Sequence, residues 1–185
     1  YIISVAHEYG IPVIVHAAPR VPPIENLNRY TDMGADLVTI SGGKGIRGPQ
    51  ASAILCGRKD FIGSALLQML DLAGERFDEW NPPPELIHKD RLAGKPLHGI
   101  GRSGKVTKEA IIGLLVALET FTEQEFNSLS AERLEWITTI QRELDRVPGV
   151  QTRLCDDEEQ YYPMLQLTID AITAGVTAME VSRRL

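Results

Sequence analysis

One lysine, Lys44, lies in a glycine-rich segment that directly follows an apolar run. Residues 41–50 read SGGKGIRGPQ, and the apolar run before them occupies residues 37–40. Glycines next to a lysine remove side-chain bulk, so that a flat or large group can approach the backbone. A lysine in a confined, partly dry site loses its proton more easily and can then attack a carbonyl carbon. This segment is the first candidate for chemistry.

Three interpretations of Lys44 compete. It could be a solvated loop lysine, which is what most loop lysines are. It could belong to a phosphate-binding loop, but the pattern G-x-x-x-x-G-K-[ST] is not met because Gly45 follows the lysine. It could also form a Schiff base with a carbonyl cofactor. The local pattern alone leaves these interpretations open.

Further candidates are a hydroxyl and three cations that suit anions. Ser41 could bind a phosphate or carboxylate oxygen, or be only a turn hydroxyl. Arg47 suits a substrate carboxylate or phosphate, or is a solvated loop arginine. Arg102 and Lys105 lie among glycines in residues 98–105, HGIGRSGK, before a predicted helix. This second segment is either an anion site or a flexible basic surface loop.

Composition and charge exclude several classes of function. The net charge of −6 argues against a surface that coats nucleic acid. No apolar run approaches the roughly 18 residues that a membrane span needs. Cys56 and Cys155 lack a cluster of histidine or cysteine around them, so we predict no metal site. Two thiols in a chain of this size suit a reducing cytoplasm, which is the predicted location.

The elements that must position these residues alternate in the first part of the chain. Apolar runs at 13–15, 37–40 and 51–56 read as strands, and helical patterns separate or follow them. The run at 13–15 is apolar on both faces, as in a buried parallel strand. Alternating strands and helices predict an α/β layered sheet, in which ligands bind beyond the carboxyl ends of the strands. Lys44 would lie at such an end.

The second part of the chain is predicted to be mainly helical before a new unit begins. Thr107 can cap one helix, and a second is predicted over about 131–146. A strand at 164–169 and a capping box formed by Thr177 and Glu180 follow. We expect a large domain at 1–120, then a connecting helix and a partial small α/β domain at 121–185. The chain starts without Met, inside a helical pattern, so we expect it to be a piece of a longer protein.

The order strand, SGGKGIRGPQ, strand and GRKD over residues 11–62 resembles a known family. It is similar to the pyridoxal-phosphate enzymes of the aspartate-aminotransferase fold (fold type I). Within them it looks most like the branch of bacterial selenocysteine synthase and the D-glucosaminate-6-phosphate ammonia-lyase type. The resemblance covers residues 1–120 well and implies a three-layer, parallel-type α/β sheet. It also implies a homodimer or a higher even oligomer.

The resemblance assigns roles to several residues. Lys44 would form the internal aldimine with pyridoxal 5′-phosphate and then move the Cα proton of the substrate. Ser41 and Gly43 would contact the cofactor, and the glycines would leave room for its ring and phosphate. Arg102 and Lys105 match the GR-x-x-KV stretch of the family, which the resemblance places at the rim of the active site. From their own chemistry, we predict that Arg47, Arg102 and Lys105 bind the anionic groups of the substrate.

His16 departs from the family pattern. The family has an aspartate in a context like VIVDAA, which keeps the cofactor's ring nitrogen protonated, whereas this chain reads VIVHAA. A neutral imidazole stabilises a pyridinium less than an anion does. His16 could therefore tune the cofactor, mark reduced or lost activity, or merely pack at a strand end. Asp32 and Asp36 are not substitutes, because we expect one on a helix and the other at the amino end of its strand.

The resemblance implies elimination or replacement on an amino acid, or ammonia loss from an amino sugar acid. A first alternative is an L-seryl-tRNA(Sec) selenium transferase. The acidic charge argues against it, as does Gly43 where that group tends to carry an acidic residue. A tRNA partner is accordingly not expected. The second alternative is a non-catalytic relative, which His16 alone supports.

Overall fold

The computed structural model describes residues 1–70, 79–94, 99–155 and 162–185. The chain forms two compact units, Tyr1–Phe121 and Thr122–Leu185. All candidate residues named above lie in the first unit. The assignment of two domains at 1–120 and 121–185 stays a prediction.

A three-stranded sheet forms the centre of the first unit. It contains β1 (Ile14–His16), β2 (Leu37–Ser41) and β3 (Ala53–Gly57), in that spatial order. β1 and β2 are parallel, whereas β3 is antiparallel to β2, so the sheet is mixed. Residues 42–52 join β2 to β3 and contain no helix, and a parallel crossover needs a longer connection that usually holds one. The short link therefore forces β3 to run back.

Four α-helices and two short 3₁₀ helices complete the described part of the first unit. They are α1 (Ile2–Glu8), α2 (Asn26–Asp32), α3 (Lys59–Met69) and α4 (Lys108–Thr120), with 3₁₀ turns at Lys89–Arg91 and Ile100–Gly104. The predicted cap of α4 is confirmed, because Thr107 Oγ1 accepts a hydrogen bond of 3.2 Å from the Ala110 N–H. Across the described residues, no helix is long and apolar enough to cross a membrane.

One face of the sheet carries the core, and the other face carries two of the candidate residues, His16 and Ser41. Val38 and Ile40 are each 1% exposed and belong to the buried cluster of the unit. Leu37, Thr39 and Ser41 alternate with them and point to the opposite face. Ile14 pairs with Leu37 on this opposite face and is 66% exposed. The prediction that the first strand is buried on both faces is therefore wrong, because β1 is an edge strand that packs on the core only through Val15.

The second unit pairs one long helix with a hairpin. It contains α5 (Glu123–Leu144), β4 (Val150–Cys155), β5 (Met164–Ile169), α6 (Ala171–Ala174) and α7 (Ala178–Arg184), and its two strands are antiparallel. The predicted strand at 164–169 is confirmed, as is the capping box of Thr177 and Glu180. The helix predicted at about 131–146 begins earlier, because the Thr122 side chain accepts the Glu125 N–H and caps it.

Candidate functional site

Three of the predicted site residues lie at or just beyond the carboxyl edge of the parallel strand pair. His16 is the last residue of β1 and pairs with Thr39, two residues before the end of β2 at Ser41. Because β1 and β2 are parallel, both strands end at the same edge of the sheet. Lys44 lies three residues after Ser41, in the turn that follows β2. The structure thus brings His16, Ser41 and Lys44 to one edge.

The loop that carries Lys44 has a fixed backbone. The Arg47 N–H donates to the Lys44 carbonyl oxygen at 2.9 Å, and the Gly48 N–H donates to the Gly42 carbonyl oxygen at 2.8 Å. Ile46 is 3% exposed and packs in the core cluster. Lys44 itself is exposed. The loop is therefore closed and anchored, while its lysine side chain faces outward.

The glycines of this loop are required by its own packing. A Cβ on Gly42 would overlap the Ser52 hydroxyl, and a Cβ on Gly45 would overlap the Val21 carbonyl oxygen. These close approaches to the same chain give a reason for the glycines that is independent of any ligand. The predicted contact of Gly43 with a cofactor stays a prediction.

Arg47 has an unusual backbone conformation. Its φ of 63° places a non-glycine residue in the left-handed region. Such residues cluster at functional sites, where the surrounding structure holds them in place. Here the hydrogen bond from the Arg47 N–H to Lys44 and the burial of Ile46 hold it. The role of Arg47 in anion binding stays a prediction.

His16 is paired with a hydroxyl that the sequence analysis did not single out. His16 Nδ1 lies 2.9 Å from Thr39 Oγ1, and the imidazole ring is exposed. Strand alternation places Thr39 on the same face as Ser41, which is visible in the sequence. Its pairing with His16 depends on the register of β1 against β2, which is not visible in the sequence.

The polar groups at this edge have unused hydrogen-bonding capacity. Within the described part of the chain, neither the Lys44 amine nor the Ser41 hydroxyl has a hydrogen bond or an ion pair. The Nε2 atom of His16 likewise has no partner among the described residues. An amine, a hydroxyl and an imidazole nitrogen are thus available to a ligand at one edge of the sheet.

Asp36 lies at the opposite, amino edge and is fully engaged. Its buried carboxylate accepts hydrogen bonds from the Val13 N–H at 2.7 Å, from His7 Nε2 at 2.8 Å and from Arg58 at 2.9 Å. These three donors, the Val13 N–H first, hold the pKa of Asp36 well below its usual range. The expectation that Asp36 cannot replace the family's aspartate is confirmed by its position, and Asp32 lies on α2 as predicted.

Arg102 and Lys105 lie in and directly after a 3₁₀ turn, on elements other than the strands that carry His16 and Ser41. The 3₁₀ turn Ile100–Gly104 packs on the end of α3, where the Gly99 N–H donates to the Leu70 carbonyl oxygen at 3.1 Å. Both cations are exposed and lie just before α4. Their predicted role in binding anions stays a prediction.

A family profile and two relatives match this chain over nearly its whole length. The sequence profile of the aminotransferase class-V family matches residues 1–184. The chain is 30% identical over 186 aligned residues to a 5′-C-glycyluridine monooxygenase-decarboxylase from Streptomyces sp, covering 100% of this chain and 38% of that protein. It is 24% identical over 184 residues to a D-glucosaminate-6-phosphate ammonia lyase from Salmonella typhimurium (strain 14028s / SGSC 2262), covering 99% of this chain and 40% of that protein.

A solved structure supports the fold. The structure of a D-glucosaminate-6-phosphate ammonia-lyase matches with a TM-score of 0.60 at 22% identity, covering 99% of this chain and 40% of that chain. The chain thus spans about two fifths of the length of the relatives that it matches. Because the family profile matches residues 1–184, the chain belongs to the aminotransferase class-V family of pyridoxal-phosphate-dependent enzymes.

Proposed function

We propose that this chain carries the cofactor-binding lysine, Lys44, of an enzyme that acts on an amino acid or an amino sugar acid by elimination or replacement. The observation that carries the proposal is the position of Lys44. It is an exposed amine on an anchored loop, just beyond the carboxyl edge of the sheet at which His16 and Ser41 also lie.

The residues at this edge fit pyridoxal 5′-phosphate chemically. The cofactor has an aldehyde, which suits the primary amine of Lys44. It has a phosphate, which suits the Ser41 hydroxyl, and a ring nitrogen, which suits the imidazole of His16. All three side chains have hydrogen-bonding capacity that the described chain does not use. When bound, the cofactor supplies an electron sink for negative charge at the substrate Cα.

The residues of the chain would divide the remaining tasks. The Lys44 amine would hold the cofactor and would also serve as the base that takes and returns the Cα proton of the substrate. Because Ile46 anchors the loop, the backbone of Lys44 would stay in place just beyond the carboxyl edge of the sheet. Arg47, together with Arg102 and Lys105, would bind the carboxylate or phosphate of the substrate.

Two relatives support different reaction classes. The ammonia lyase supports elimination, which is the reaction that we propose. The monooxygenase-decarboxylase supports an oxidative decarboxylation as the second candidate, because it is 30% identical over all of this chain. The relatives do not support the selenium transferase assignment, and the net charge of −6 argues against a tRNA partner.

We further propose a homodimer or a higher even oligomer in the cytoplasm. The cytoplasmic location is supported by the two free cysteines, Cys56 and Cys155, which suit a reducing compartment. The oligomeric state follows from the family resemblance. Light scattering on the full-length protein tests it, and a monomer in the presence of the cofactor would contradict it.

The cofactor assignment is tested by trapping the cofactor on its lysine. The full-length protein is incubated with pyridoxal 5′-phosphate, reduced with borohydride, digested and analysed by mass spectrometry. We expect a reduced adduct on Lys44 in the wild type and none at this position in Lys44→Ala. Lys59→Ala is the matched control, since Lys59 is also exposed but lies at the start of α3. No adduct in the wild type would favour a non-catalytic relative.

The reaction class is tested with the substrates of the two relatives. Ammonia release from D-glucosaminate 6-phosphate, without oxygen consumption, is the expected result. Oxygen consumption with 5′-C-glycyluridine would instead favour the second candidate. Lys44→Ala is the control in both assays, because either activity requires the cofactor-binding lysine.

A further inference from the structure

We infer that Thr39 is a positioning residue that donates a hydrogen bond to His16 Nδ1 and thereby keeps the imidazole proton on Nε2. His16 would then be a hydrogen-bond donor toward the ring nitrogen of the cofactor. The inference rests on the proposed function for the identity of the ligand. It adds a residue that neither the family resemblance nor the relatives assign.

The pair is built into the register of the sheet. His16 and Thr39 are directly opposite each other on the parallel strands β1 and β2. Their side chains lie on the same face, and His16 Nδ1 is 2.9 Å from Thr39 Oγ1. This distance is that of a hydrogen bond between a hydroxyl and a ring nitrogen. The threonine is therefore held beside the imidazole by the backbone pairing of two strands.

The surroundings of Thr39 indicate the direction of this hydrogen bond. Across the sheet on its other side, Thr39 pairs with Leu55, whose side chain cannot accept a hydrogen bond. Ser41, two residues along β2, makes no side-chain hydrogen bond within the described residues. The imidazole nitrogen is thus the acceptor that the described face offers to the hydroxyl proton. A neutral histidine that accepts at Nδ1 carries its proton on Nε2.

This tautomer has a consequence for the cofactor. A carboxylate next to the ring nitrogen would accept a hydrogen bond from the protonated nitrogen and keep the ring positively charged. An imidazole Nε2–H would instead donate a hydrogen bond, which suits an unprotonated ring nitrogen. When bound in that form, the cofactor would supply a weaker electron sink. Thr39 would in this way influence the strength of the electron sink through His16.

The first test reads the tautomer directly, without cofactor. Full-length protein with ¹⁵N-labelled histidine is studied by NMR, and the His16 signals are identified by their loss in His16→Gln. We expect a protonated Nε2 and an unprotonated Nδ1 in the wild type and in Thr39→Ser, which keeps the hydroxyl. Thr39→Val should share the proton between both ring nitrogens. Thr168→Val is the matched control, because Thr168 is an exposed strand threonine in the second unit.

Two outcomes of this test would overturn the inference. A proton on Nδ1 in the wild type reverses the hydrogen bond and makes Nε2 an acceptor. Unchanged His16 signals in folded Thr39→Val show that the hydroxyl does not set the tautomer. A proton on Nδ1 in the wild type would overturn the inference even if Thr39→Val does not fold.

The second test uses the cofactor and separates this inference from the proposed function. We expect Thr39→Val to weaken cofactor binding about threefold to tenfold, the effect of one lost hydrogen bond, and to shift the absorbance of the bound cofactor. Thr39→Ser should restore both. If the wild type forms no borohydride adduct on Lys44, the proposed function fails, and the tautomer is still measured. If the adduct forms but Thr39→Val changes neither the cofactor affinity nor the absorbance, the inference about Thr39 fails and the proposed function stands.

Discussion

At the amino edge of the sheet, Asp36 is buried and accepts hydrogen bonds from Val13, His7 and Arg58. At the carboxyl edge, Lys44 is exposed, and its amine has no hydrogen-bond or ion-pair partner within the described residues. The two edges are only the length of one strand apart. One contains a charge that the chain itself satisfies, and the other presents groups that a ligand could satisfy.

This difference arises from the directions of the three strands. β3 runs antiparallel to β2, so its end at Gly57 lies beside the start of β2 at Leu37. Arg58 therefore emerges at the amino edge, where it reaches the carboxylate of Asp36. The carboxyl edge collects the ends of β1 and β2, where His16 and Lys44 lie. Charged residues alone do not mark a site, and our proposal rests on the unused hydrogen-bonding capacity at the carboxyl edge.

The largest expected effect is that of Lys44→Ala, which should lower turnover strongly but leave stability almost unchanged. Loss of the base should lower turnover about 100-fold or more. Since Lys44 is exposed, the free energy of unfolding should change by less than about 0.5 kcal/mol. Steady-state kinetics and urea unfolding of the full-length protein measure the two effects. A large loss of stability would show that Lys44 is structural and would remove the contrast between the edges.

Asp36→Ala should instead lower stability while leaving the chemistry at Lys44 intact. It removes the acceptor of three hydrogen bonds that join α1, β1 and the start of α3 to β2, so the melting temperature should fall by several degrees. The folded fraction should still form the Lys44 adduct. Asp32→Ala is the matched control, because Asp32 is exposed on α2. Equal melting temperatures for both variants would contradict the structural role of Asp36.

Gly45→Ala tests whether the backbone of the lysine loop is as closely packed as the geometry indicates. The new methyl group would overlap the Val21 carbonyl oxygen, and we expect a loss of about 1–3 kcal/mol in the free energy of unfolding. Gly94→Ala meets no atom within 4 Å and should cost less than about 0.5 kcal/mol. Chemical denaturation compares the two, and equal costs would mean that the loop can move away from Val21.

The smallest effect should be a change in acid sensitivity. The pKa of Asp36 is lower in the folded state than the value of about 3.9 for a free aspartate. Its carboxylate therefore stabilises the fold above pH about 4, and this contribution is lost as the pH falls toward the folded pKa. The stability difference between wild type and Asp36→Asn should shrink below pH about 4 in urea titrations. A difference that is constant with pH would exclude this linkage.

The elements with local signals were predictable from the sequence. The strand at 37–40 is apolar and ends in glycines, and it is observed at Leu37–Ser41. The cap at Thr107 and the capping box of Thr177 and Glu180 depend on residues three positions apart. The position of Lys44 just beyond the end of a strand was likewise predictable, because it depends on only one strand and one turn.

The features that depend on pairing were not predictable in the same way. The direction of β3, the exposure of Ile14 and the contact of His16 with Thr39 each require the order and register of strands. An apolar run does not encode its direction, and a histidine at a strand end does not indicate its neighbour. The start of α5 at Glu123 was not predicted, because the first turns of this helix are mostly polar. The Thr122 side chain caps the helix and fixes where it begins.

The anchored loop around Lys44 has a thermodynamic consequence for any ligand that binds there. Ordering a flexible chain costs about 1–2 kcal/mol per residue, whereas immobilising one lysine side chain costs about 2 kcal/mol. Because Ile46 and the backbone hydrogen bonds already fix the loop, binding at Lys44 needs to immobilise only the side chain. The backbone entropy that ordering this loop would otherwise cost on binding has therefore already been lost during folding.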